Sequence, residues 1–326
     1  MSINAGILSI AAIAYFLLNG ISHAAPVWTM VDCNAGGSTQ DCHVLTDGNE
    51  VSIVDTGTVE ATKRYFIPYL KKAGIKKVKN FYVSHPHDNH VGGLIDIMDS
   101  GVEIQNIYFN DPVHGHNDFA YHQEWWDAMK ADAVTRGAKL HQVKKGDVIK
   151  TKNTRMLILE APKSRQAEVN DYSVIMRWEA GGYSTLFTGD LSVELGNRLA
   201  GNPVFEADFY KAPHHGVTPI APDAFSNTVN PVLAMVPQPK ILERHPRGLP
   251  FFYWARSKLS AKGMITCTNG NNGHVSLIFE QTSVSVRPER NHGSCVTTRL
   301  YLTPKKLTKM PVNGLAMAPI LNLLLD

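Results

Sequence analysis

Hydrophobic positions along the chain switch repeatedly between a period of two and a helical period, and those switches mark out the elements. Residues 44–54 alternate and then turn wholly apolar around Asp47-Gly48-Asn49, which predicts two strands joined by a tight turn. Residues 60–74 carry Tyr65, Phe66, Tyr69 and Leu70 at near-helical spacing and close on a glycine, so a helix is expected, with Pro68 a candidate kink. Strands follow at 78–83 (VKNFYV) and 104–109, then a helix over 119–136 stopped by Gly137. Short strands are expected at 139–143 and 156–159, and strands at 172–178 and 183–188 flank a hairpin turn at 179–182. A helix at 192–200, strand ends at 209–211 and 232–236, a helix at 252–262 and strands at 264–268, 275–280 and 284–287 complete the series. This βα alternation, sheet-rich at both ends and without an internal repeat, predicts an α/β fold with two sheets sandwiched between helices.

Between the strand at 78–83 and a helix start at 93–98 (GLIDIM) lies the densest chemistry in the chain. Ser84 to Gly93 reads S-H-P-H-D-N-H-V-G-G, with His85, His87 and His90 inside six residues. Each imidazole brings two polar nitrogens that need partners when buried, so packing alone is a poor reason to gather three. The spacing suits a loop curled round a cation better than a helix, whose ligands fall at i and i+4. Gly92 and Gly93 would let the backbone turn into the following helix. Metal ligation is the expected role, with a solvated, His-rich surface turn as the bland alternative.

Composition bounds the rest. The 326 residues, 44% hydrophobic, supply one large α/β domain or two small ones, and a net charge of +3 implies no strong field toward nucleic acid or membranes. The other notable histidines fall at His114, His116 and His122 and at His214 and His215. Residues 7–18 are an apolar run of signal-peptide core length, too short to span a bilayer comfortably, and Ser22-His23-Ala24 offers small residues for cleavage. The expected organisation is a signal peptide over 1–24 and a single domain over 25–326 with a C-terminal extension, secreted or periplasmic and without a remaining membrane span. An uncleaved anchor is the alternative, since the first residues lack Lys and Arg. In an oxidising compartment the four cysteines read as two disulfides, and proximity pairs Cys33 with Cys42 and Cys267 with Cys295, one of three connectivities. A cysteine-ligated zinc is the rival, though no C-x-x-C pair occurs. The apolar tail over 302–326 carries no functional reading beyond packing.

The histidine loop resembles the H-x-H-x-D-H signature of the metallo-β-lactamase fold hydrolases. Further segments match in order: V-S-I-V-D-T-G at 51–57, N-D-Y-S at 170–173, L-F-T-G-D at 186–190, Y-K-A-P-H-H-G at 210–216, and the stretch 263–279. Together they resemble the branch typified by the nuclease-like domain of the competence protein ComEC. The resemblance implies a four-layer αββα sandwich and one or two zinc ions. It would put His85 and His87 on one ion and His90 and His215 on a second, with Asp190 bridging through its two anionic oxygens. His215 is chosen over His214 because the family's last histidine commonly precedes a glycine, here Gly216; His214 would face substrate. Asp55 would accept a ring N–H from one histidine and fix its tautomer. Asn170 and Asp171 stand where other branches carry a third histidine, which places Asn170 on the substrate side.

One position departs from the pattern. The family's aspartate before the last loop histidine is Asn89 here, while Asp88 sits one residue earlier. A neutral amide in place of a carboxylate loosens the second metal and removes a candidate base, so Asp88, Asn89 and His214 are the expected catalytic positions, in a site that is altered, mononuclear or silent. The resemblance implies hydrolysis by a water whose pKa zinc lowers to about 7, and neither G-x-S-x-G nor a convincing Cys/His arrangement competes. The favoured substrate is a phosphodiester, with nucleic acid a candidate and Lys211, Lys240, Arg244, His245 and Arg247 as phosphate partners. A phosphocholine ester, a lactone, or binding without catalysis are the rivals. The aromatic insert 121–126 (YHQEWW) reads as helix core, or alternatively as a stacking platform or lid. No protein partner is implied.

Overall fold

A computed structural model describes residues 24–34, 37–113, 117–217, 223–262 and 264–305. The expected signal peptide up to residue 23, His114, His116 and the tail beyond 305 lie outside the described residues.

Among the described residues sixteen strands run in chain order: β1 (Val27–Met30), β2 (His43–Asp47), β3 (Glu50–Val54), β4 (Lys77–Tyr82), β5 (Glu103–Phe109), β6 (Lys139–Gln142), β7 (Val148–Lys150), β8 (Arg155–Glu160), β9 (Ile175–Ala180), β10 (Tyr183–Phe187), β11 (Phe209–Lys211), β12 (Leu233–Val236), β13 (Ile265–Thr268), β14 (Val275–Phe279), β15 (Val284–Pro288) and β16 (Thr298–Leu300). They form a nine-stranded sheet, β16-β15-β14-β1-β2-β3-β4-β5-β6, and a seven-stranded sheet, β13-β12-β11-β10-β9-β8-β7. The run β3 to β6 is parallel, as is β10 to β13, and the remaining pairings are antiparallel.

Strand alternation builds the layers. In β4, Tyr82 points into the core between the sheets while its neighbour Phe81 points outward, and in β10 Phe187 and Leu186 divide in the same way. The inter-sheet core is Trp28, Leu45, Tyr82, Met176, Phe187, Phe209 and Leu277 among others. Helices cover the outer face of each sheet. On the first, Leu70, Ile97 and Trp126 come from α2 (Ile67–Lys72), α4 (Leu94–Asp99) and α5 (Gln123–Thr135). On the second, Leu195, Phe225 and Trp254 come from α6 (Val193–Leu199), α7 (Asp223–Val229) and α8 (Leu249–Lys262). The expected helix–sheet–sheet–helix sandwich is the one observed.

Several local expectations shift. The helix expected over 60–74 runs as α1 (Val59–Ala61), a wide π turn (Thr62–Phe66) and α2, joined by helical backbone at Ala61, Thr62, Phe66 and Ile67, so the irregularity expected at Pro68 takes the form of a π turn just before the proline. The helix expected from 119 starts only at Gln123, because Asp118 Oδ1 accepts the Ala120 N–H at 2.8 Å and holds a turn before it. Residues 172–174 precede β9 instead of opening it, since Val169–Tyr172 is a 3-10 turn. Strands β1, β7 and β16, too short to show a period, are not among the expected elements. The disulfides pair Cys33 with Cys42 and Cys267 with Cys295, as proximity predicts. Among the described residues no helix is long and apolar enough to cross a membrane. Leu302 packs on the inter-sheet core, and the Lys305 N–H donates to Asp208 Oδ1 at 3.2 Å.

Candidate metal centre

Loops leaving the C-terminal ends of β3, β4, β10 and β11 converge, which brings side chains distant in sequence into one buried cluster. Asp55, just past β3, receives both the backbone N–H and the hydroxyl of Ser84, just past β4, at 2.8 and 2.6 Å. The ligand loop is pinned a second time by Thr56 N–H donating to His90 O at 2.6 Å. His90 stands on a short helical turn, α3 (Asp88–Val91), where a loop was expected. The two glycines after it keep negative φ, and their reason is space: a Cβ on Gly93 would come within 1.9 Å of Thr62 Oγ1. Gly189, by contrast, needs its φ of +52°, and a Cβ there would meet Ser173 Oγ at 2.7 Å, so the turn that presents Asp190 depends on glycine. His214 and His215 both hold φ near +50°, at 47° and 54°, a left-handed strain of the kind kept at functional sites.

The donor atoms of Asp41, His90, Asp190 and His215, all buried, lie within 4.8 Å of one another. Asp190 Oδ2 is 3.2 Å from His90 Nε2, 3.3 Å from His215 Nε2 and 3.7 Å from His214 Nε2. On the far sides of the rings, His90 Nδ1 is 2.8 Å from Asp55 Oδ2, and His215 Nδ1 is 3.4 Å from Asp41 Oδ1. Beside this cluster, His85 Nε2 faces His87 Nδ1 at 3.0 Å, and His87 Nε2 lies 2.9 Å from Asp118 Oδ2.

Charge follows from those contacts. Burial opposes protonation of His90, yet Asp190 and Asp55 override it and raise the ring to about 10. His215 is raised by Asp190 and Asp41 against the same opposition. Burial would push Asp190 and Asp41 up, but His215 and His90 hold Asp190 well below the usual carboxylate range, and Lys211 and His215 do the same for Asp41. His85 is driven down by burial and then by the neighbouring His90 and His87, and so is neutral. His90 Nε2 and Asp190 Oδ1 are buried without a hydrogen bond of good geometry. Orphaned nitrogen and carboxylate atoms gathered at one point are what a divalent cation satisfies, so the residues present fit one.

Two expected site residues sit differently from their sequence reading. Lys211, read as a phosphate partner, is 1% exposed and spends its ammonium on Asp41 Oδ2 at 2.5 Å and on Gly189 O at 2.9 Å. Asp88, read as a stand-in for the missing aspartate, is exposed in the first turn of α3, while Asn89 itself puts its amide Nδ2 3.0 Å from His215 Nε2. His214, half-buried, borders the cluster. Asn170 is nearly buried, with its Oδ1 unpaired, in the turn before β9. Lys240, Arg244, His245 and Arg247 are exposed between β12 and α8. Tyr121 and Trp126 are fully buried and serve the core. Sequence reasoning missed Asp41 and Asp118. The only sequence signal for Asp41 is its place in Asp41-Cys42-His43, a charged residue beside a cysteine at the entry to a strand.

Residues 35–225 match the family model for the metallo-β-lactamase superfamily, a group made up mostly of metal-dependent hydrolases that bind divalent metals. Among curated proteins the chain is similar to ComE operon protein 3 of Bacillus subtilis, with 26% identity over 176 residues covering 53% of this chain and 22% of that protein. It is also similar to competence protein ComA of Neisseria gonorrhoeae, with 23% identity over 198 residues covering 59% of this chain and 24% of that protein. The match thus spans less than a quarter of either relative. Among solved structures, CmlA, a diiron β-hydroxylase from Streptomyces venezuelae, shares the fold at a TM-score of 0.52 and 11% identity, over 84% of this chain and 60% of that one. With the family model spanning more than half its length and competence proteins among its relatives, the chain belongs to the metallo-β-lactamase superfamily, consistent with the ComEC-like branch.

Proposed function

We propose that the protein is an exported, zinc-dependent phosphodiesterase of nuclease-like type, released from its signal peptide at 1–24. The observation that carries this reading is that His90 Nε2 and His215 Nε2 each come within 3.3 Å of Asp190 Oδ2, with buried polar atoms left over around them. These three would hold one cation, and His85 Nε2 with His87 Nδ1 a second. A bound zinc supplies Lewis acidity and lowers the pKa of water to about 7. The chain's own residues do the rest. Asp55 and Asp118 fix the tautomers of His90 and His87, and Asn89 fills the place beside His215 with a neutral amide. His214, partly exposed at 16% and 3.7 Å from Asp190, is the histidine at this cluster open enough to pass a proton to a leaving group. Two disulfides support export, and the competence-protein relatives support nucleic acid as the phosphodiester.

The test is turnover of bis(p-nitrophenyl) phosphate and of single- and double-stranded oligonucleotides by purified protein supplied with zinc, beside a phosphocholine ester and a lactone. Cleavage of the phosphodiesters that disappears with EDTA and in His215→Ala is expected; turnover of the lactone or phosphocholine ester alone would replace the substrate assignment. Asn89 favours a second reading, a binding module without catalysis. Protein that takes up no zinc and cleaves no ester would establish that one.

A further inference from the structure

Resting on the reading that His90, His215 and Asp190 hold a divalent cation, we propose that Asp41 is a positioning residue of the centre and not one of its ligands. It stands behind the ring of His215, as Asp55 stands behind that of His90, turns the His215 Nε2 toward Asp190, and is charge-balanced by Lys211.

The two nitrogens of an imidazole point away from each other, so one ring cannot offer both to the same ion. Asp190 Oδ2 faces Nε2 of His90 and of His215, at 3.2 and 3.3 Å. Asp41 faces the opposite atoms, with Oδ1 3.4 Å from His215 Nδ1 and Oδ2 3.6 Å from His90 Nδ1. The two carboxylates therefore lie on opposite sides of the same pair of rings, and an ion held by the Nε2 atoms and Asp190 has Asp41 behind its ligands.

The surroundings of Asp41 agree. His43 Nδ1 accepts the Trp28 indole N–H at 3.2 Å, which leaves the His43 proton on Nε2, 3.5 Å from Asp41 Oδ1. Lys211 Nζ sits 2.5 Å from Asp41 Oδ2. Lys211 thus gives Asp41 its charge partner, and the ring nitrogens of His43 and His215 lie 3.5 and 3.4 Å from its other oxygen. The backbone ties this carboxylate to the ligand loop, with Asp41 N–H donating to Asn89 O at 3.3 Å and Asn89 Nδ2 donating to Thr39 O at 3.3 Å. The Cys33–Cys42 disulfide anchors the adjacent residue. Lys211 in turn donates to Gly189 O, next to Asp190, so one buried ammonium braces both carboxylates.

Cobalt(II) titration followed by its visible d–d spectrum separates a ligand from a positioning group. Wild type, Asp41→Asn, His215→Ala and the charge-free double variant Asp41→Leu with Lys211→Met are compared, the last because it removes both buried charges and keeps the fold testable. Asp41→Asn and the double variant are expected to bind the same number of ions as wild type with the same band pattern, at affinity lowered about 10- to 100-fold. His215→Ala is expected to lose an ion. Loss of an ion or a changed spectrum in Asp41→Asn would make Asp41 a ligand, and unchanged affinity would make it a bystander; either overturns the proposal. A purely structural role would lower the melting temperature of the cation-free protein and leave cobalt affinity alone, so both are measured. Wild type that binds no cobalt would instead remove the metal reading itself, and this inference with it.

Discussion

The two halves of the histidine cluster are built to different standards. Around Asp190, His90 and His215 have fully buried rings, and the groups behind them, Asp55 and Asp41, are 2% and 1% exposed. Around His85 and His87, the backing carboxylate Asp118 comes from the insert after β5 and is 27% exposed, next to a fully exposed Phe119. The first half is held rigidly before any ion arrives, whereas the second depends on a half-exposed loop. Preorganisation predicts a tighter ion in the first and an exchangeable one in the second.

The largest effect should come from removing ligands one half at a time. His215→Ala is expected to lose the tight ion and to lower phosphodiester turnover by on the order of 10³-fold or more, the scale of removing a principal electrostatic element. His87→Ala should keep the tight ion and lose only the weaker one. Elemental analysis after dialysis reads the difference, and equal losses from the two variants would erase the distinction between the halves.

Protonation separates them next. With its folded value raised to about 10, His90 carries a proton at neutral pH in the cation-free protein, and His215 is raised in the same direction; protons on these rings must leave when an ion binds. Their contribution to the stability of the cation-free protein is complete below about 6.5, the unfolded value, and is lost as pH rises toward the His90 value of about 10. Affinity at the tight position should therefore rise with pH by up to about tenfold per unit for each proton released. The His85 ring is already neutral and releases none. Calorimetry in buffers of different ionisation enthalpy counts the protons, and an affinity at the tight position that does not rise with pH would overturn the assignment.

Legibility in the sequence follows the same division between local and distant contacts. His85, His87 and His90 announce themselves by density, and T-G-D and H-H-G by a strand ending in turn residues, because each is a local pattern. The sandwich was legible because alternation in segments such as β10 separates Phe187 from Leu186 regardless of what packs beyond. Asp41 was not, since its meaning depends on Lys211, His215 and His43, and only His43 is near in sequence. Lys211 was misread for the corresponding reason: lysine is almost never fully buried without a partner, and a sequence does not reveal the partner. Gly93 was read for conformational freedom when the nearby Thr62 side chain, invisible in sequence, is what excludes a larger residue.

Asn89→Asp should strengthen the tight half further. Its amide already lies 3.0 Å from His215 Nε2, so a carboxylate there adds a charged donor without moving the backbone. Cobalt affinity is expected to rise about tenfold, about 1.4 kcal/mol, with the weaker position unchanged. No gain in affinity would mean that the amide of Asn89 does not face the ion.

The smallest effect is expected on the exposed side of the loose half. Phe119 is 98% exposed, and its ring lies 6.4 Å from that of His87, whereas Tyr121 and Trp126, the more conspicuous aromatics in sequence, are buried. If the substrate is nucleic acid, a fully exposed ring at this edge offers a face on which a base stacks, worth about 1 kcal/mol at the low end of such contacts. Phe119→Ala should then raise KM for a single-stranded oligonucleotide about 5-fold, the same 1 kcal/mol, and leave KM for bis(p-nitrophenyl) phosphate nearly unchanged, because a small ester gains little from a platform beyond the cluster. Phe119→Trp, which keeps the stacking face, should hold KM at the wild-type value. A uniform rise for both substrates would instead assign Phe119 to shielding the His87–Asp118 contact from water, and would place the loose half's weakness in its solvent exposure and not in its distance from the substrate.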